Sequence, residues 1–231
     1  MNKQKSLATL VVAALMLLAA MAWGQGSYKA VAGGPPDAPQ IPASMKSLLS
    51  PQSDSLVNAQ GASVCQIWWR KDIPEDNKNP RPDATYPGFS VGEFMGVLYF
   101  PNADTDYRGQ SIKAGYYALR YALIPEDGNH MGVSTYPDFL LLIPIADDPN
   151  PEQDLAFQPL VKDSRLAANT GHPAVLMLDQ AGQSSSVQSP SATQDDQGNW
   201  VLNANLSITK GGQTQQLPFA LVLVGQYQGG E

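Results

Sequence analysis

The run Tyr116-Tyr117-Ala118-Leu119-Arg120-Tyr121-Ala122-Leu123-Ile124 decides the fold class. Read with a period of two, it places Tyr117, Leu119, Tyr121 and Leu123 on one face and Tyr116, Ala118, Arg120 and Ala122 on the other, the alternation of a strand whose large apolar face is buried. Further along, Phe139-Leu140-Leu141-Leu142-Ile143 is a continuous apolar run stopped by Pro144, the pattern of a strand covered on both faces. Trp200, Leu202, Ala204, Leu206 and Ile208 alternate with Val201, Asn203, Asn205, Ser207 and Thr209. The turn Lys210-Gly211-Gly212-Gln213 then returns the chain through Leu217 to Val224 as a hairpin.

Upstream, Val64 to Lys71 and Phe94 to Phe100 read as strands, and Ala174 to Leu178 as a short one. The proline-rich stretch from Asp72 to Gly88 reads as an exposed loop, and Gln180 to Gln197 as a mobile one. A single helix is expected from Asn150 as N-cap, with Pro151 at its first position, Phe157, Leu160 and Val161 on one face, and Gly171 as terminator. About seven strands with one packed helix and no βαβ alternation predict a mainly all-β protein, an antiparallel immunoglobulin-like β-sandwich. A charged fraction of only 15% with 20 Gly and 19 Pro agrees, since a coiled coil or helical bundle needs far more charge and fewer breakers.

The N-terminal residues indicate the compartment. Lys3 and Lys5 precede the apolar run Leu7 to Ala20, and Ala20-Met21-Ala22 has small residues where signal peptidase reads them. Residues 1–22 are therefore expected to be a signal peptide and Trp23 the mature N-terminus, in the periplasm or outside the cell; a retained anchor would be at the short limit for a membrane span. Processing would leave 12 of the 14 basic residues against 21 acidic ones, a net charge of −9 in place of −7. Nucleic acid is excluded as a partner by that balance. An envelope protein, a glycan or a small molecule remains, with no membrane span after processing. Residues 23–60, rich in Pro and Gly, read as a flexible leader in which Met45, Leu48 and Leu49 can form one docking turn, and residues 61–231 as a single domain.

Chemistry-bearing residues are few. The lone Cys65 lies in an apolar strand and reads as a buried small hydrophobe. His130, in Pro125-Glu126-Asp127-Gly128-Asn129-His130-Met131-Gly132, and His172, in Thr170-Gly171-His172-Pro173, both sit in loops beside strands. The expected ligand site is the loop around His130, with Asp127, Asn129 and Asp138 as polar neighbours and Arg120 as anchor for an anionic group. In a second reading His130 and His172 ligate a transition metal, copper or zinc. No His-x-x-x-His, nucleophile elbow or phosphate-binding glycine loop occurs, so no catalytic residue is assigned and no cofactor is expected. Trp68, Trp69, Tyr86, Phe89, Tyr107 and Tyr136 are candidates for an aromatic binding surface.

The phrase Gly109-Gln110-Ser111-Ile112-Lys113-Ala114-Gly115-Tyr116-Tyr117-Ala118-Leu119, continued by Arg120-Tyr121 and the Asp127-Gly128-Asn129-His130-Met131-Gly132 loop, resembles that of uncharacterised exported bacterial β-sandwich proteins. The resemblance spans roughly residues 109–144. It implies a β-sandwich fold and a secreted setting, and transfers no catalytic residue.

Overall fold

The structure is a computed structural model that describes residues 27–128, 130, 134–168, 170–182 and 189–225; the expected signal peptide, residues 1–22, lies outside them. In chain order the elements are β1 (Tyr28–Gly33), α1 (Ala43–Lys46), β2 (Ser53–Asn58), β3 (Ser63–Trp69), β4 (Ile73–Pro74), β5 (Phe94–Phe100), β6 (Asp104–Thr105), β7 (Ser111–Ile112), β8 (Gly115–Leu123), β9 (Asp138–Pro144), α2 (Phe157–Ala168), β10 (Val175–Asp179), β11 (Ser191–Gln194), β12 (Trp200–Lys210) and β13 (Gln213–Val224). The protein is thus mainly β with one long helix. Among the described residues no helix is long and apolar enough to cross a membrane.

Ten strands follow one hydrogen-bonded path, β1-β2-β3-β5-β8-β9-β10-β13-β12-β11, with β4 parallel to β12 and β6-β7 a separate hairpin. The path is a meander as far as β10. A long connection then carries the chain to the far edge, and β11, β12 and β13 return by hairpins so that β13 lies beside β10, a Greek-key arrangement. One continuous curled sheet therefore stands where two separate immunoglobulin-like sheets were expected. The hinge of the curl is β10: Val175 to Met177 pair with β9, while Leu178 and Asp179 pair with β13. Curling brings the edges together, with Tyr28 of β1 edge-on to Trp200 at 5.4 Å between ring centroids. The β12–β13 hairpin has the expected turn, for Gly211 and Gly212 both have positive φ, 57° and 79°, as a two-residue turn between right-twisted strands requires.

The concave side encloses the main core. Leu56, Ile67, Leu119, Tyr121, Leu140 and Leu176 from one half of the path face Leu202, Leu206, Phe219 and Leu221 from the other. The convex side is covered in two places. Ile41, Met45 and Leu49 lie over Trp68, Phe94, Val97 and Ala118, while Leu160 of α2 lies over Phe139, Leu141, Ile143, Val175 and Met177. Both faces of β8 and β9 are consequently buried, which accounts for the unbroken apolar run in β9.

Several expectations are corrected here. The leader is part of the fold: β1 and β2 pair with each other and β2 with β3, and the intervening segment straps the convex face, with the Trp68 indole N–H donating to the Gly34 carbonyl at 2.9 Å. Edge strands of small and polar residues take their stability from backbone ladders and from neighbours, not from hydrophobic patterning. The expected helical turn at Met45 is α1, and Met45 is fully buried. Trp68, Trp69, Tyr86, Phe89 and Tyr107 are all buried, so they form no exposed aromatic surface. Within the expected mobile loop, Ser191–Gln194 pairs with β12, and residues 183–188 lie outside the described set.

Cys65 is completely buried in the main core, and desolvation pushes its thiol up to about 12. The native protein is therefore expected to be silent toward a thiol-exchange reagent such as DTNB at pH 8 and to release one equivalent after unfolding in guanidinium. A full equivalent from native protein would place Cys65 at the surface. Burial also raises the Tyr86 and Tyr121 hydroxyls, all in the direction that favours the protonated form in the fold. Their stabilising contribution is present below ordinary thiol and phenol values and is lost as pH rises beyond them.

Candidate functional site

Of the residues expected to form a site, Arg120, on β8, is only 1% exposed. Its Nε and Nη2 donate to the two oxygens of Asp148 at 2.7 and 2.8 Å; Nη2 also reaches the Asn150 carbonyl at 2.9 Å, and Nη1 those of Gly92 and Pro151 at 2.9 and 3.0 Å. All five N–H donors of the guanidinium are occupied, so Arg120 does not anchor an external anion. The clasp also explains why the helix begins at Phe157 and not at Pro151. With the carbonyls of Asn150 and Pro151 turned to Arg120, they are withdrawn from an i to i+4 ladder, although the Asn150 side chain does accept the Glu152 N–H at 3.2 Å. Gly92, φ 95°, permits the close approach, since a Cβ there would stand 2.6 Å from the Leu155 carbonyl oxygen.

Asp138 is likewise structural. Fully buried, it accepts the Tyr121 hydroxyl at 2.6 Å and the backbone N–H groups of Thr85 and Tyr86 at 2.8 and 3.0 Å. The Tyr86 hydroxyl in turn donates to the Asp179 carbonyl and accepts the Ala220 N–H. This network pins the proline-rich loop to β8, β9, β10 and β13, and satisfies the buried carboxylate. Asn129 lies outside the described residues.

The two histidines, by contrast, line one groove of about 400 Å³ between α2 and the outer face of β9 and β10. Its apolar floor is Ile124, Phe139, Phe157, Val161, Val175 and Met177, where α2 leaves the convex face partly uncovered. Its rim carries Arg108, Asp127, His130, Gln158, Arg165 and His172. His130 Nδ1 stands 3.0 Å from Asp127 Oδ1 at one end. That end is set by strand register, because Met177 pairs with Phe139, the second residue of β9, just after the loop that bears His130.

The opposite end is built from three segments fastened to the start of β10. Ser164 of α2 donates its hydroxyl to the Ala174 carbonyl at 2.9 Å and accepts the Ala174 N–H at 3.0 Å. Tyr107 N–H donates to the Val175 carbonyl at 3.2 Å. Gln110 donates to the Pro173 carbonyl at 2.9 Å and accepts the Thr170 hydroxyl, so the turn bearing Arg108 and the loop bearing His172 hold each other. Beneath them the buried Asp106 carboxylate accepts the N–H groups of Arg108, Gln110 and Val175 and the Gln110 amide. Desolvation raises the Asp106 pKa, opposed by those donors.

His130, Asp127 and His172, expected from the sequence, line this groove together with Arg108 and Arg165, which the sequence did not single out. Neither lies in a recognisable motif, and they share a groove only because α2 and the 106–110 turn dock on the same strand. Chemically the groove can hold an apolar body and contact a polar group at its rim; no serine, threonine, cysteine or lysine is among its described lining residues. Among the described residues no group of three or more His, Cys, Asp or Glu side chains is placed to hold a metal ion. Comparison of the chain with protein-family models, with curated proteins and with solved structures gives no match.

Proposed function

We propose that this chain is an exported, non-catalytic binding protein of the cell envelope whose ligand seats in the groove between α2 and the outer face of β9 and β10. Export rests on the pattern of residues 1–22, and the likeness of residues 109–144 to exported β-sandwich proteins supports the same setting. One observation carries the binding reading: six apolar side chains floor a cleft of about 400 Å³ whose walls are tied to β10 by backbone and buried side-chain hydrogen bonds. A volume within the range of small-molecule sites and a pre-formed wall are the two properties that let a cleft bind without paying to order itself.

N-phenyl-1-naphthylamine, an uncharged probe that fluoresces in apolar surroundings, tests this reading. It is expected to bind the native protein saturably at one site. Gln158, exposed on the rim, offers a blocking position: Gln158→Trp should weaken the probe's binding about tenfold or more without lowering the melting temperature. Absence of saturable binding to the native protein contradicts the proposal.

A further inference from the structure

Resting on the binding reading above, we propose that the natural ligand is an amphiphilic anion, an apolar body bearing one carboxylate or sulfonate group, with its charge held between Arg108 and Arg165 at the Ala174–Val175 end of the groove. The charge distribution points there. The chain as a whole is acidic, with 14 Lys and Arg against 21 Asp and Glu, yet this end of the groove presents two arginines and His172 with no acidic lining residue beside them.

Both arginines are exposed, and none of the ion pairs among the described residues uses either of them. The Asp106 carboxylate beneath is fully buried and turned inward onto four N–H donors. Positions are held from the backbone outward. Arg108 follows Tyr107, whose N–H is bound to Val175, and Arg165 follows Ser164, whose hydroxyl is bound to Ala174. Arg108, from a turn, and Arg165, from a helix, thus line one groove next to segments fastened at Ala174 and Val175. An anion there gains charge-assisted hydrogen bonds, and planar guanidiniums suit the oxygens of a carboxylate or sulfonate.

The apolar body has one direction to go. From Val175 the floor continues to Met177 and its partner Phe139, two strand residues or about 7 Å further.

The test compares two probes with the same rings. 8-Anilinonaphthalene-1-sulfonate carries a sulfonate that N-phenyl-1-naphthylamine lacks. The native protein should bind the sulfonate about tenfold more tightly than the neutral probe, and R108Q/R165Q should remove that preference while leaving neutral-probe affinity and melting temperature unchanged. Raised salt should weaken only the sulfonate. Equal affinities in the native protein, or sulfonate binding insensitive to R108Q/R165Q, would overturn the anion assignment and leave the groove reading standing. If neither probe binds saturably, the groove reading fails, and the anion assignment with it.

Discussion

Arg120→Met is expected to destabilise the protein by about 3–5 kcal/mol, because it leaves the Asp148 carboxylate buried without its partner. The loss also orphans the Gly92 and Pro151 carbonyls and leaves the Asn150 carbonyl with the Gln153 N–H alone. Against a total stability of about 5–15 kcal/mol for a domain, such a loss is a large fraction. Urea melts of the two proteins measure it. Arg120→Met combined with Asp148→Leu should recover part of the loss, since the uncompensated charge is then removed. A loss under about 1 kcal/mol for Arg120→Met would mean that the pair is solvated and that the loop from Asp148 to Gln153 is not organised by it.

Leu119→Ala and Leu206→Ala are expected to cost about 2–5 kcal/mol each, through lost transfer energy and the cavity left in the concave core. The two residues come from opposite halves of the curled path, and both are fully buried. Leu166, 54% exposed on α2, provides the control: Leu166→Ala should change stability by about 0.5 kcal/mol or less. Were Leu119→Ala and Leu206→Ala as mild as that control, the registers of β8 and β12 would be off by one residue.

The elements readable in the sequence are those whose side chains alternate or whose turns demand glycine. Tyr117, Leu119, Tyr121 and Leu123 of β8 do face the concave core, and Gly211-Gly212 does turn the β12–β13 hairpin. By contrast β1, with the sequence Tyr-Lys-Ala-Val-Ala-Gly, and β11, Ser-Ala-Thr-Gln, have no apolar periodicity, for an edge strand is defined by the ladder it joins. The helix start was obscured by Arg120, a residue thirty positions away that takes the carbonyls an earlier first turn would have used. That competition is tertiary, and local capping signals do not register it.

The site shows the same division. His130 and His172 stand out as the chain's two histidines in loops, and both line the groove. Asp138 and Arg120 stood beside a functional-looking loop in the sequence, but strand alternation turns both side chains into the interior, where other groups consume them. Arg108 and Arg165, 57 positions apart, share a groove through the hydrogen bonds of Tyr107 and Ser164 to Val175 and Ala174, where β10 begins.

Methyl-resolved NMR of the native protein, titrated with N-phenyl-1-naphthylamine, tests the central claim most directly. Ile124, Val161, Val175 and Met177 line the groove from three separate segments and should shift together along one binding curve, while Leu56, Leu119 and Leu206 of the concave core stay in place. Shifts centred instead on the depression between Ala181 and Val201, or no shift at any probe concentration, would contradict the account.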